Sequence, residues 1–389
     1  MAKTGTKRKR IAGQYFDYNL LAVLIILICF GLIMLYSASA YKATSTWGDD
    51  MYFLTKQAGF SVLAVALCLL VAFAFDYHFI LRWFSWPVYI LSILLMFAAR
   101  YTSLSAGEAY GASRWIQIGP FSLQPAELAK IGVILLLTYE VQRLGRDAAT
   151  WKGFLVLAVI SVLPAGVAYI VTNNLSTAVI ILAIAVVIIF VSNPHTLPFL
   201  ILFAVIVMIA VILLNRVLAA AANSESFRID RILVWTNPEK YYDIGGYQVL
   251  QGLYAIGSGG LFGRGLGNST QKLGIIPEAQ NDMIFTIICE ELGLFGAIIV
   301  LLLFGYLLYR LYRIALRSPD LSGTLVSVGV FIHIALQVIL NICVVLNVIP
   351  TTGVTLPLIS NGGTSVLFTM IEIGIVMGVS NKIVPSRQS

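Results

Sequence analysis

Long runs of apolar residues recur along most of the chain, separated by shorter polar or glycine-rich segments. A run of roughly twenty mainly apolar residues has the length of a helix that crosses the hydrocarbon core of a bilayer. The pattern therefore predicts an all-α integral membrane protein with about ten transmembrane helices. The predicted helices are 18–37, 54–75, 79–99, 125–141, 154–171, 175–191, 199–217, 282–309, 325–346 and 364–379.

Composition supports a membrane protein. Hydrophobic residues make up 59% of the 389 residues and charged residues only 11%, whereas a soluble chain has about a quarter charged residues. The net charge of +7 could indicate a nucleic-acid partner. Much of that charge, however, lies in the basic run from Lys7 to Arg10 and in short loops between spans, where it sets topology. We therefore predict no nucleic-acid partner.

The distribution of basic residues predicts cytoplasmic termini and an even number of spans. The inner segments then hold Lys7 to Arg10, Arg143, Arg146, Lys152, Arg310, Arg313, Arg317, Lys382 and Arg387. We predict a basic cytoplasmic tail at residues 1–17, one polytopic membrane domain at 18–380 and a short cytoplasmic tail at 381–389. The predicted extracytoplasmic loops are about 100–124, 218–281 and 347–363. The loop 218–281, between spans seven and eight, is rich in aromatic and aliphatic residues, which predicts a structured cap with amphipathic helices.

Cysteine and histidine give no sign of a disulfide or a metal site. The four cysteines lie in apolar stretches without a CxxC pair, and the three histidines lie far apart in sequence. We predict free buried thiols and no metal site. No cofactor is indicated, and a requirement for a divalent cation stays open.

Four carboxylates lie at or inside the predicted eighth span: Glu278, Asp282, Glu290 and Glu291. Asp282 is at the edge of this span and has two interpretations. It is either a first-turn acid that the helix dipole favours or a catalytic carboxylate, acting as a general base or cation ligand in an outward-facing cavity. If the helix continues backward, Glu278 shares its face.

Glu290 and Glu291 lie deeper, where a charge needs a partner. We predict Lys130 in span four as that partner, in either a structural ion pair or a substrate or proton pathway. Lys130 has two further alternatives. It pairs with Glu127, three residues earlier, or it faces a cavity and meets an anionic lipid headgroup.

Two further segments are candidates for the site. The glycine-rich stretch 257–268 predicts either simple turns or backbone N–H groups that bind phosphate. Cations for a diphosphate are available in the same predicted loop at Arg228, Arg231, Arg264 and Lys272. Residues 349–365, including Ser360, are rich in proline, glycine and hydroxyl side chains. Irregular backbone at membrane depth persists only when it is buried in protein or lines a cavity.

Short motifs occur in the order found in one known family. They are Tyr36-Ser37-Ala38-Ser39, Ser113-Arg114-Trp115-Ile116, Gln124-Pro125-Ala126-Glu127-Leu128-Ala129-Lys130, Gly246-Tyr247-Gln248, Gly265-Leu266-Gly267-Asn268-Ser269, Gln271-Lys272-Leu273, Pro277-Glu278-Ala279, Asp282 with Ile284-Phe285, Glu290-Glu291-Leu292-Gly293 and Thr355-Leu356-Pro357-Leu358-Ile359-Ser360. The chain resembles the SEDS family (shape, elongation, division and sporulation proteins), and its FtsW/SpoVE branch more than its RodA branch.

The resemblance implies a peptidoglycan glycosyltransferase that polymerises lipid II at the outer face of the bacterial cytoplasmic membrane. It also implies a class B penicillin-binding protein and other division or elongation proteins as partners. The family's essential loop aspartate falls on Asp282, its Arg-Trp pair on Arg114 and Trp115, and its cavity lysine on Lys130. We add Glu278, Arg228, Arg231 and Lys272 as predicted substrate-binding residues. Glu127, Glu290, Glu291 and Ser360 are predicted to support the cavity.

The chain departs from the family pattern at several positions. Gln280-Asn281 stands where His-Thr is usual, Asn174 replaces an acidic residue, Asn361 replaces a tyrosine and Ser122 a basic residue. Two alternatives to a polymerase stay open. Charged residues in a multi-span bundle with broken segments also describe a lipid II flippase, and the departures keep open a non-catalytic scaffold for the penicillin-binding protein. A flippase needs a route across the whole bilayer, whereas the candidate residues cluster at one face.

Overall fold

The computed structural model describes residues 16–102, 114–118, 121–193 and 227–383. Its helices are α1 (Tyr18–Trp47), α2 (Tyr52–Ala74), α3 (Tyr77–Tyr101), α4 (Pro125–Leu144), α5 (Trp151–Ile170), α6 (Leu175–Ser192), α7 (Phe227–Thr236), α8 (Gly246–Gly259), α9 (Ile284–Arg317), α10 (Leu321–Val345) and α11 (Gly363–Ser380). Two short 3-10 turns occupy Gly145–Ala149 and Tyr242–Ile244. A hairpin of two antiparallel strands, β1 (Ile116–Ile118) and β2 (Phe121–Leu123), precedes α4.

Eight of the described helices are long and apolar enough to cross a membrane, so the chain is a multi-pass membrane protein. They are α1, α2, α3, α5, α6, α9, α10 and α11. The predicted span 125–141 corresponds to α4, whose four charged residues make it less apolar than these eight. The predicted span 199–217 lies outside the described residues.

Two predicted helix bounds differ clearly from the structure. Helix α1 continues to Trp47 and ends at Gly48, whose φ of 70° forms a left-handed C-cap with its N–H on Thr44 O. The prediction stopped at residue 37 because the sequence becomes polar there. Helix α9 begins at Ile284, two residues after the predicted start, and extends to Arg317.

Helix α4 lies at the centre of the bundle and contacts α3, α5, α6, α10 and α11. Close approach requires glycine at some of these crossings. A Cβ on Gly132 of α4 would lie 3.0 Å from Tyr89 Cα of α3, and one on Gly374 of α11 would lie 2.7 Å from Cys68 O of α2. Large apolar side chains such as Val62, Phe73 and Leu302 face outward, as expected for helix faces in contact with lipid.

Helix α9 is broken at Gly293, where φ is 67° and ψ is −165°. Such a break frees backbone groups that must find other partners. The glycine-rich segment supplies them: Arg264 N donates to Glu290 O (3.0 Å) and Gly265 N to Glu291 O (2.9 Å), while Leu294 N donates to Gly260 O (3.0 Å). The sequence predicts either simple turns or a phosphate-binding backbone for this segment, and the structure contains turns. Arg264 N and Gly265 N are thereby committed to backbone carbonyls and are not available to bind a phosphate.

We expect Gly293→Ala to destabilise the protein. An added Cβ would lie 2.3 Å from Gly263 N, and an L-residue with this φ costs about 1–3 kcal/mol. Thermal unfolding in detergent would measure the loss. The matched control is Gly305→Ala in the same helix, where the new methyl meets nothing within 4 Å and helix propensity favours alanine. Equal melting temperatures for the two variants would contradict the steric argument.

Candidate active site

A cavity of about 420 Å³ opens at one end of the bundle. Its walls come from the start of α2, the β1–β2 hairpin, the segment before α9 and the segment before α11. The lining residues are Phe53, Lys56, Gln57, Phe60, Trp115, Ser122, Glu278, Asn281, Asp282, Gly353, Thr355, Asn361, Gly362, Gly363 and Thr364. Two carboxylates and one ammonium group therefore face a common space.

Asp282 lies in the turn that precedes α9, outside the first turn of that helix. Its side chain is half-buried and lines the cavity. The pKa of Asp282 is raised to about 6, mainly by burial and also by the nearby charge of Glu278, while a backbone hydrogen bond and the charge of Arg231 act in the opposite direction. Asp282 is not a first-turn acid of α9, because the chain is not yet helical there. A carboxyl group with a pKa near neutrality is suited to exchange protons with a ligand.

Glu278 also lines the cavity, but not through a shared helix face. Its φ of 53° places it in a turn, so the helical spacing considered for Glu278 and Asp282 does not occur. The Glu278 carboxylate forms an ion pair with Lys42 Nζ at 2.8 Å, and both side chains are about half exposed. Such an exposed pair contributes little to stability.

Trp115, directly before β1 of the hairpin, lines the cavity, whereas Arg114 does not. An Arg114 guanidinium N–H donates to Asn173 O at 3.1 Å, and Arg231 donates to Thr351 O at 3.0 Å. Burial lowers the pKa of both guanidinium groups, and that of Arg231 is lowered further by Arg114 and raised by Asp282. Arg231 thus contributes positive charge near Asp282 and Arg114 lies near Arg231, while neither arginine is among the lining residues.

Lys130 is fully buried within the bundle and pairs with Glu127 at 2.8 Å. The predicted pairing of Lys130 with Glu290 or Glu291 is wrong. A buried ammonium needs a close counter-charge, and Glu127, three residues earlier on the same helix, is within direct reach. Lys130 is not a lining residue of the Asp282 cavity.

Glu290 and Glu291 are fully buried and have separate cations. Glu290 accepts from Arg264 at 3.1 Å and from Thr270 N at 3.1 Å. Glu291 pairs with Lys272 at 2.7 Å and accepts from the Ser37 hydroxyl at 2.6 Å. These contacts fasten the segment 264–272 and helix α1 to the first part of α9.

Sequence reasoning missed Lys56, the cation that lines the cavity. Its side chain is exposed, its ammonium lies 6.0 Å from the Tyr52 ring centroid, and no carboxylate pairs with it in the part of the chain that the structure describes. Lys56 and Phe60 also line an adjoining groove of about 700 Å³ that continues along α2 to Leu63. The sequence feature that could have identified Lys56 is a single lysine one turn inside a mainly apolar helix.

The remaining predicted residues have structural contacts or lie outside the description. Ser360 is buried and its hydroxyl accepts from Leu356 N at 2.8 Å. Arg228 belongs to α7, but its side chain lies outside the described part. Asn174, one of the departures, caps α6 by accepting from Thr177 N at 3.1 Å. Within the described ranges, no group of three or more His, Cys, Asp or Glu residues could hold a metal ion.

Comparison with known proteins gives matches over nearly the whole chain. Residues 17–383 match the family described as "Cell cycle protein" (FTSW_RODA_SPOVE). Stage V sporulation protein E of Bacillus subtilis (strain 168) is 36% identical over 94% of this chain and 96% of its own. The probable peptidoglycan glycosyltransferase FtsW of Trichlorobacter lovleyi is 32% identical over 96% and 95%. A solved structure, described as showing the structural coordination of polymerization and crosslinking by a peptidoglycan synthase complex, matches with TM-score 0.76 and 27% identity, over 96% of this chain and 99% of that one.

Proposed function

The chain belongs to the FtsW/RodA/SpoVE family of cell cycle proteins, and from this we propose that it is a peptidoglycan glycosyltransferase that polymerises lipid II into glycan strands. The observation that carries the proposal is the half-buried Asp282 carboxylate, with its pKa raised to about 6, in a cavity that also contains an ammonium group. The names of full-length relatives support the same reaction.

Asp282 acts as the general base in this proposal. Its carboxylate accepts the proton of the acceptor sugar's 4-hydroxyl while that oxygen bonds to the anomeric carbon of the donor. The bond from this carbon to the lipid diphosphate breaks, and the diphosphate leaves with the electron pair. General-base catalysis of this kind contributes roughly 10²–10⁴-fold to the rate.

Lys56 is the proposed cation for the leaving diphosphate. Its ammonium lines both the cavity and the adjoining groove, so a diphosphate at Lys56 would have its sugar beside Asp282 and its lipid chain along α2. A fixed positive charge where negative charge develops stabilises the transition state. Trp115, before β1, and Phe60, in α2, add flat apolar surface to the cavity lining.

We expect Lys56→Gln to reduce kcat/KM by about 10–100-fold, because the diphosphate loses its cation. Lys56→Arg keeps the charge and should retain most of the activity. The matched control is Lys240→Gln, since Lys240 lies 5.3 Å from the Tyr241 ring centroid but does not line the cavity. Wild-type kinetics for Lys56→Gln would remove Lys56 from the site.

Activity should also depend on pH, because the base must be ionised. We expect kcat/KM to fall as pH drops through about 6, the pKa to which burial raises Asp282. Glu278→Gln removes a neighbouring negative charge that raises this pKa, so the midpoint should move to lower pH. Initial rates between about pH 4.5 and 8 would measure both. Glu239→Gln, an exposed acid away from the cavity lining, is the control; a midpoint that Glu278→Gln leaves unchanged would contradict the electrostatic coupling.

The proposal includes the topology and the partner. An even number of spans, about ten, places both termini in the cytoplasm and the Asp282 cavity at the outer face of the bacterial cytoplasmic membrane. The positive-inside distribution of Lys and Arg supports this orientation. A class B penicillin-binding protein is the proposed partner, supported by the likeness to a synthase complex that polymerises and crosslinks.

Reconstitution into liposomes tests the function. The protein, with its penicillin-binding protein, would receive labelled lipid II, and both strand length and transfer of lipid II between leaflets would be measured. Long strands are the expected result. Transfer without strands would favour the flippase, and neither product from folded protein would favour the scaffold.

A further inference from the structure

The segment that carries Asp282 has no regular secondary structure of its own, because residues 280–283 form turns between the long loop and α9. An irregular backbone does not by itself hold a carboxylate in one place. Three hydrogen bonds reach the segment from elsewhere in the fold. Asn341 Nδ2 donates to Asp282 O at 2.8 Å, Asn361 N to Gln280 O at 3.0 Å, and Asn361 Nδ2 to Asn281 Oδ1 at 3.2 Å.

Asn341 is fully buried near the end of α10, and its side-chain amide donates two hydrogen bonds. Besides Asp282 O, its Nδ2 donates to Val354 O at 2.8 Å. Burying an amide in an apolar bundle is costly unless it is hydrogen-bonded. Here one side chain ties the segment that carries Asp282 to the segment 351–355.

The segment 351–355 passes directly beside the Asp282 carboxylate. Gly353 has φ of 72°, and a Cβ there would lie 3.9 Å from Asp282 Oδ2. The same segment is fixed on its other side, because Arg231 donates to Thr351 O at 3.0 Å and Ser176 to Thr352 O at 3.1 Å. Asn341 therefore sets the distance between the carboxylate and a wall that is itself anchored.

Asn281 and Asn361 form a second tie at the cavity surface. Both side chains are half-buried and line the cavity with Asp282. The side chain that accepts the hydrogen bond from Asn361 is that of Asn281, the residue directly before Asp282. A shift of this amide pair would move the backbone from which the carboxylate projects.

We propose that Asn341 and Asn361 are positioning residues for Asp282. Asn341, in the bundle core, holds the backbone carbonyl of Asp282. Asn361, in the segment before α11, holds Asn281, the residue before Asp282. The inference rests on the proposed function, in which Asp282 is the general base. Misplacing a reacting group by about 1 Å can cost on the order of 10²-fold in rate, so the two ties act through the placement of the carboxylate and make no contact with the reacting atoms.

The first test is Asn341→Leu, which keeps a similar side-chain size and removes both hydrogen bonds. We expect kcat to fall by about 10–100-fold with KM changed by less than about three-fold, and the acid limb of the pH profile to move, because the carboxylate leaves its half-buried position. The matched control is Asn381→Leu, which removes an amide bond of the same length, 2.8 Å to Ala72 O, away from the cavity. Folded Asn341→Leu protein with wild-type kcat and pH profile would overturn the role of Asn341.

The second test does not depend on a core substitution. Asn281→Ala, Asn361→Ala and the double variant form a cycle at the cavity surface, where alanine is tolerated sterically. If the amide pair positions Asp282, each single variant lowers kcat by about 3–30-fold and the double variant is no worse than either. Additive losses, or none, would overturn the role of Asn361 whether or not Asn341→Leu folds.

Asp282→Asn measured in the same assay separates this inference from the proposed function. If Asp282→Asn keeps the wild-type rate, the base assignment fails and the positioning role fails with it. If Asp282→Asn is inactive while the asparagine variants retain wild-type kcat, the base assignment stands and only the positioning role is lost.

Discussion

Asp282→Asn should lower the rate of strand formation by roughly 10²–10⁴-fold, the contribution of a positioned general base. The amide has the size of the carboxylate but cannot accept the proton of the acceptor hydroxyl. The protein should stay folded, because burial raises the pKa of Asp282 to about 6 and so already disfavours the charged form that the substitution removes. Initial rates with purified lipid II, at a pH well above 6, measure the loss.

The same Asp→Asn change at exposed Asp243 in the Tyr242–Ile244 turn is the control for charge alone, and it should leave the rate unchanged. Binding of lipid II to the Asp282→Asn variant should persist, since the cavity walls and Lys56 are intact. Strands formed at the wild-type rate by a folded, pure variant would exclude Asp282 as the base.

Glu291→Ala should destabilise the fold by about 3–5 kcal/mol, the cost of breaking a buried ion pair by removing one partner. Lys272 would keep its charge with a side chain only 9% exposed, and the Ser37 hydroxyl would lose its acceptor at 2.6 Å. Since the pair joins α1 and the loop to α9, we expect unfolding to be affected globally. Thermal or denaturant unfolding in detergent would measure the change.

Two variants define what the loss means. Glu239→Ala changes an exposed loop acid and should alter the free energy of unfolding by less than about 0.5 kcal/mol. Glu291→Ala combined with Lys272→Met removes both charges and should recover part of the stability, because no ion is left unpaired. A loss below about 1 kcal/mol in Glu291→Ala alone would show that the pair is effectively solvated.

The membrane-spanning elements were predictable because bilayer thickness imposes a length that apolar runs display directly. The end of α1 was not, because residues 38–47 are polar enough to resemble a loop while remaining helical. Asp282 could be found from its position at the edge of a span. Its turn conformation, with α9 starting only at Ile284, depends on tertiary contacts with residues such as Asn341.

The ion pairs show the limit of reasoning from spacing. Lys130 and Glu127 are close in sequence, and this local alternative is the one that the structure contains. The cations that pair with Glu290 and Glu291 are Arg264 and Lys272. They reach these carboxylates because the glycine-rich segment folds back onto the break at Gly293. Lys56 was overlooked because hydropathy averages a single cation into an apolar helix.

The break at Gly293 also ties the first part of α9, which follows the cavity residue Asp282, to the returning loop. The short stretch from Ile284 to Gly293 is held at its far end, at Glu290 and Glu291, by the returning loop and by Ser37 of α1, and Asp282 lies two residues before its other end. We expect the opening and closing of the cavity around a substrate to come from the opposite wall, formed by the first turns of α2 and the two-stranded hairpin. Asp282 would then stay in place during such a movement. A partner that regulates access to the cavity would act on α2 or on the hairpin.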